Sequence, residues 1–174
     1  IKEIIELGAG LGRDTVFFAK NKIKVEALDY SLTAIKIIEE KAKVNNLSKL
    51  ISTKHFDIRN KLPYEDNSIN GIFSHMLYCM ALTNSDIKKL NDEILRVLKP
   101  GGINIYSVRN TNDGDYKKGI HRGEDMYEND GFIINFFSEK KVNSLLDGFK
   151  NLKTTNFEEG SFPRKLFLVQ NKKL

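Results

Sequence analysis

Tryptophan is absent from this chain of 174 residues, cysteine occurs once, and histidine and proline occur three times each. A lone Cys79 excludes an internal disulfide and any cysteine metal cluster. The histidines, at 55, 75 and 121, stand too far apart in sequence to suggest a ligand set, so no metal is expected. No apolar run approaches the roughly 20 residues that span a bilayer, and nothing resembles a signal peptide. The reading is a soluble, cytoplasmic protein without a membrane partner. Arginine is also scarce, at 13, 59, 96, 109, 122 and 164 only, although the formal charge is +5. The remaining cations are lysines interspersed with acids, which read as solvated faces. Nucleic-acid surfaces favour the arginine fork, so the charge does not point to one.

What is present is enough for one globular domain over residues 1–174, with 40% hydrophobic residues. The chain opens directly on an apolar strand pattern at Ile1, and an upstream helix is expected to precede it. The segments "KEIIEL", "KVEAL", "LISTKH", "SINGIFSH" and "INIYSV" are short, apolar and rich in β-branched residues, as buried strands are. Between them, "SLTAIKIIEEKAKVNN" carries Ala34, Ile35, Ile38 and Ala42 on one helical face behind a Ser31 cap. "SDIKKLNDEILRVLK" carries Ile87, Leu90, Ile94 and Val97 and stops at Pro100, Gly101 and Gly102. Alternation of this kind predicts an α/β fold: a doubly wound, mostly parallel sheet with helices on both faces. Residues 110–130 are polar and aperiodic and predict a long loop over a binding edge. A helix is expected over 138–149. Two antiparallel strands, "LKTTNF" and "KLFLVQN", then close the chain around a turn at Gly160 to Pro163.

The stretch "IELGAGLGRD" places Gly8, Gly10 and Gly12 in the first strand-to-helix turn. Ligands of doubly wound sheets bind outside the carboxyl ends of the strands, and a glycine turn there lets backbone approach them closely. The spacing is G-x-G-x-G, with Arg13 where a nicotinamide-binding turn wants its third glycine. At the end of the second strand Asp29 can accept both hydroxyls of a ribose. After the third strand Asp57 can accept from an adenine amine while Ile58 covers the ring. Together these loops describe an adenosine site.

Here the sequence resembles the class I S-adenosylmethionine-dependent methyltransferases. Glu6 with Gly8, Gly10 and Gly12 matches their first motif, Asp29 the ribose acid, and Asp57 with Ile58 the adenine pair. "LPYEDNSINGIFSHMLYCM" and "EILRVLKPGGINIYSV" are similar to the fourth- and fifth-strand regions of the ubiquinone-biosynthesis and tellurite-resistance branches. The resemblance implies a seven-stranded sheet with an antiparallel last strand and a helix ahead of Ile1 covering the cofactor. It implies S-adenosylmethionine as cofactor, with Ala9, Tyr30 and Ser74 joining the contacts above, and S-adenosylhomocysteine as product. The function expected is methyl transfer to a small-molecule acceptor. His75, after the fourth strand, is the candidate base. Tyr78, Arg109, His121, Arg122 and Tyr127 are candidate acceptor contacts, and residues 110–137 a wall of the acceptor pocket. The alternatives are a nucleic-acid methyltransferase, disfavoured because "SHMLY" lacks the N-P-P run of the base-methylating enzymes, and an inert adenosine-binding protein of the same fold.

Overall fold

The computed structural model describes residues 1–162 and 164–174, so Pro163, the expected last residue of the closing turn, lies outside the described residues. The chain runs through β1 (Glu3–Leu7), α1 (Arg13–Lys20), β2 (Lys24–Asp29), α2 (Leu32–Val44), β3 (Ile51–His55) and β4 (Ile69–His75). It continues with α3 (Asn84–Val97), β5 (Leu98–Arg109), β6 (Ile120–His121), β7 (Met126–Asn129) and β8 (Phe132–Asn135). The last elements are α4 (Glu139–Asn143), β9 (Phe149–Glu159) and β10 (Arg164–Lys173). Seven strands form one sheet in the order β3-β2-β1-β4-β5-β10-β9. β1 to β5 are parallel, and β10 runs antiparallel to both β5 and β9. The expected sheet and its antiparallel last strand are met.

Strand geometry explains why both faces are covered. Side chains alternate across a strand. On β2, Ala27 joins the apolar cluster containing Ala19, Ile38 and Ala42 of α1 and α2, while its neighbour Leu28 joins the cluster containing Ile87, Leu90 and Ile94 of α3. The chain order reverses between β1 and β4, which opens a crevice at their carboxyl ends. Capping fixes where the helices start. Ser31 Oγ accepts from Ala34 N, and Thr83 and Asp86 cap each other at α3.

Two expectations are corrected. The helix predicted over 138–149 begins behind its Ser138 cap but extends only to Asn143. Asn91 of α3 donates its side-chain amide to the Leu145 carbonyl at 3.0 Å, and Gly148 at φ 76° turns the chain into β9. The second correction is the loop predicted from residue 110. It contains a separate three-stranded antiparallel sheet, β6-β7-β8. Asp130 and Gly131, both at positive φ, join β7 to β8 in two residues, the conformation that an Asp-Gly hairpin supplies.

Candidate active site

The three turn glycines are required for different reasons. All have positive φ, at 67°, 54° and 75°. A Cβ on Gly8 would stand 2.7 Å from Leu77 Cδ1, and one on Gly12 2.7 Å from Ile38 Cγ1, so these two allow close packing. A Cβ on Gly10 would meet no protein atom within 4 Å. Gly10 therefore borders open space. Its N–H donates to Asp29 Oδ2 at 2.8 Å, and Ser31 N donates to Oδ1 at 2.8 Å. These bonds join the ends of β1 and β2 and fix the plane of a carboxylate that is only 6% exposed.

Glu6, two residues before the turn, is buried and accepts from Thr15 Oγ1 at 2.5 Å. Desolvation, only partly offset by that bond, pushes its carboxyl up from the usual 4.5 to about 8. Ala9, within the turn, is buried with Ala19, Ala27 and Ile38. Beyond Asp29, Tyr30 is 75% exposed. With Asp57, Ile58, Arg59, Leu77 and Met80 it lines a cavity of about 330 Å³. Asp57 accepts from the backbone N–H of Arg59 at 3.0 Å and from its guanidinium on both oxygens. These bonds hold the carboxyl below the usual range. An adenine amine there would share Asp57 with Arg59.

His75, ending β4, connects four elements. Its Nδ1 lies 2.8 Å from Ser107 Oγ of β5. Its Nε2 lies 3.0 Å from Glu159 Oε2 at the end of β9, an ion-pair distance without the geometry of a full hydrogen bond. Glu159 Oε1 accepts from Arg13 Nη1 at 2.5 Å, at the start of α1. Burial lowers the His75 pKa more than Glu159 raises it, so the ring is neutral at neutral pH. Burial also opposes ionisation of Glu159, but Arg13 and His75 outweigh it and hold that carboxyl below the usual range. Ser74, one residue earlier, faces the opposite side of the sheet and is fully buried, its Oγ without a partner among the described residues.

A second cavity, of about 410 Å³, shares Met80 with the first and lies across the turn that follows β4. Met76, Met80, Arg109, Asp115, Phe132 and Ile134 are among its walls. Arg109 lines this cavity, with Nε and Nη2 of its fork held by Asp113 and Asp115. Tyr78 is corrected. It is fully buried and stacked on Tyr106 at 4.5 Å, because Met76, at φ 53°, turns the chain back under the sheet edge. His121, Arg122 and Tyr127 are not among the residues lining this cavity. His121 stacks on Tyr127 and contacts the Glu124 carbonyl, Arg122 pairs with Glu128, and Tyr127 packs on Tyr116 and Phe136. The residues that sequence reasoning passed over are Glu159, Asp115 and Met80. The Asp-Gly pair at 130 and 131 was the legible signal for the strands that carry Phe132 and Ile134. Among the described residues no group of three His, Cys, Asp or Glu side chains is placed to hold a metal ion. No helix there is long and apolar enough to cross a membrane.

A family model described as "Methyltransferase domain" matches residues 4–102. Phosphoethanolamine N-methyltransferase 1 of Triticum aestivum is 40% identical over 103 residues, covering 58% of this chain and 20% of that protein. A Zea mays protein of the same name is 37% identical over 102 residues, with the same coverage of both. The chain therefore spans about a fifth of the length of these relatives. Among solved structures, an S-adenosylmethionine-dependent methyltransferase from Methanosarcina mazei superposes with a TM-score of 0.84 at 20% identity, covering 99% of this chain and 92% of the other. At that identity the likeness concerns the fold.

Proposed function

The chain belongs to the methyltransferase domain family, whose methyl donor is S-adenosylmethionine, and from that premise we propose that it methylates a small-molecule acceptor. The observation that carries this reading is the pairing of two cavities across one turn. An adenosine-sized space is lined by Tyr30, the residue after Asp29, with Asp57 and Ile58, and a second, mixed apolar and polar space adjoins it at Met80. The open space over Gly10 and the fixed Asp29 carboxylate fit a ribose, while Tyr30 and Ile58 flank the space for a base. When bound, the cofactor supplies a methyl group on a positively charged sulfur. An acceptor, once any proton it carries has passed to water, would offer its lone pair to that methyl carbon, and the carbon–sulfur electron pair would remain on sulfur.

The chain's own part is placement, since a reacting pair must be held about 3 to 3.5 Å apart. His75 has neighbours at both ring nitrogens, so in this arrangement it acts as a positioning residue, tying the tip of β9 to β4 and β5. The names of the plant relatives support a small acceptor. The absence of an arginine-rich surface argues against nucleic acid.

The test is release of S-adenosylhomocysteine from S-adenosylmethionine in the presence of a broad acceptor panel, comparing the parent with Asp29→Ala. A hydrogen bond to a charged group contributes about 1.5 to 3 kcal/mol, or roughly 10- to 150-fold. The parent is expected to turn over, and Asp29→Ala to bind cofactor weaker by that factor while still folded at the assay temperature, its melting temperature lowered by loss of the bonds from Gly10 and Ser31. Equal cofactor binding by parent and variant would remove Asp29 from the site. Absence of release with every acceptor, despite cofactor binding, would favour the inert alternative.

A further inference from the structure

We infer that the acceptor is an amine carried on an apolar body, seated in the cavity between the turn after β4 and the small β6-β7-β8 sheet. The inference rests on the methyl-transfer reading above and deepens it. The cavity's volume, about 410 Å³, falls in the range of roughly 300 to 1,000 Å³ that encloses drug-sized ligands. Met76, Met80, Phe132 and Ile134 give it an apolar lining from both sides, and the two methionines can adapt to an irregular ligand.

The charges on the walls select the polar end of that ligand. Arg109 spends Nε and Nη2 on Asp113, and its Nη2 is also 2.6 Å from Asp115. Two carboxylates on one guanidinium leave a surplus negative charge. Asp113 is buried and accepts a further bond from Lys165 N, so the surplus reaches the cavity through Asp115, whose side chain is 45% exposed. Asp130 adds a second carboxylate to the same wall. Phe132, 64% exposed, offers a ring face of the kind that attracts cations. Against these stands Arg164, an exposed cation on the same lining. A phosphate or carboxylate on the acceptor would meet Asp115 and Asp130 and be answered only by Arg164 and by Nη1 of Arg109, whose Nε and Nη2 are taken by Asp113 and Asp115. An ammonium group meets the reverse.

The two carboxylates hold the ammonium form on arrival. One proton leaves to water, the nitrogen lone pair bonds to the methyl carbon, and the carbon–sulfur pair stays on sulfur. The methylated product regains a positive charge and keeps its attraction to the same wall.

The test uses phenethylamine, 2-phenylethanol, 3-phenylpropionate and phosphoethanolamine as a set matched for body and head group. Binding of each to protein saturated with S-adenosylhomocysteine is measured by calorimetry, and methylation with S-adenosylmethionine is followed by mass. Phenethylamine is expected to bind at least tenfold tighter than the alcohol or the carboxylate, and tighter than phosphoethanolamine. Asp115→Asn should weaken phenethylamine about tenfold, Asp115→Glu should keep most of its affinity, and neither should alter S-adenosylhomocysteine affinity. Preference for phosphoethanolamine or the carboxylate would overturn the inference. So would saturation with S-adenosylhomocysteine followed by no binding of the amine, or equal amine affinity in Asp115→Asn. Failure of S-adenosylhomocysteine itself to bind would instead bring down the methyl-transfer reading beneath it.

Discussion

Glu6 shows what burial does to one carboxyl group at a strand end. Its folded-state pKa, near 8, lies above the ordinary carboxylate value because the charged form is desolvated, with Asp14 and Asp29 adding to the effect and Thr15 and Arg13 opposing it. An acid that holds its proton more tightly when folded stabilises the fold at low pH. That contribution is lost as pH rises from about 4.5 toward 8, and it amounts to a few kcal/mol at most. Glu6→Gln cannot titrate. Urea denaturation at pH 5 and pH 8.5 should show the parent losing more stability across that interval than Glu6→Gln does. Equal losses in the two proteins would mean that Glu6 is not held neutral by its surroundings. Asp29, by contrast, was legible from sequence because its place is dictated by the end of a strand, and the backbone N–H groups of Gly10 and Ser31 fix it there.

At the scale of elements, β9 and β10 form a hairpin whose tip reaches across the sheet edge. Glu159 meets Arg13, 146 residues away in sequence, and His75. No local pattern could announce this, since the three residues lie far apart in sequence and nothing near Glu159 pairs it with Arg13 or His75. The small sheet was partly legible. Its Asp130-Gly131 turn carries the hairpin signal, but the flanking strands are only four residues long and half-buried, so they lack clear alternation. If the tip is held as described, Glu159→Gln should lower the His75 pKa further, because the carboxylate now raises it against burial. Amide exchange at Phe157 to Glu159 should also quicken. An NMR titration in which His75 is unmoved by the substitution would mean that the two side chains do not meet in solution. Arg13→Ala tests the other arm of the bridge in the same spectrum.

Across the whole molecule, the alternation of strands and helices was readable because the central strands β1, β2 and β4 bury both faces and each long helix one stripe. That rule breaks in the second half of the chain, where the connections after β5 no longer cross over the sheet. The proposed cofactor half of the site follows the sheet's own regularity: a glycine turn after β1, an acid at the end of β2, and after β3 the aliphatic Ile58, proposed to cover the base. The acceptor half depends on how a polar segment folds back over the sheet edge. This is why His121, Arg122 and Tyr127 were expected at the cavity that Asp115, Asp130 and Phe132 line instead. The central claim is that the crevice at β1 and β4 holds an adenosine bearing a sulfur-containing tail and no second nucleotide. Calorimetry with S-adenosylmethionine, S-adenosylhomocysteine and NAD on the same preparation tests it most directly. Micromolar binding of the two adenosyl ligands with no detectable NAD binding is the expected result, and tighter binding of NAD than of either would contradict it.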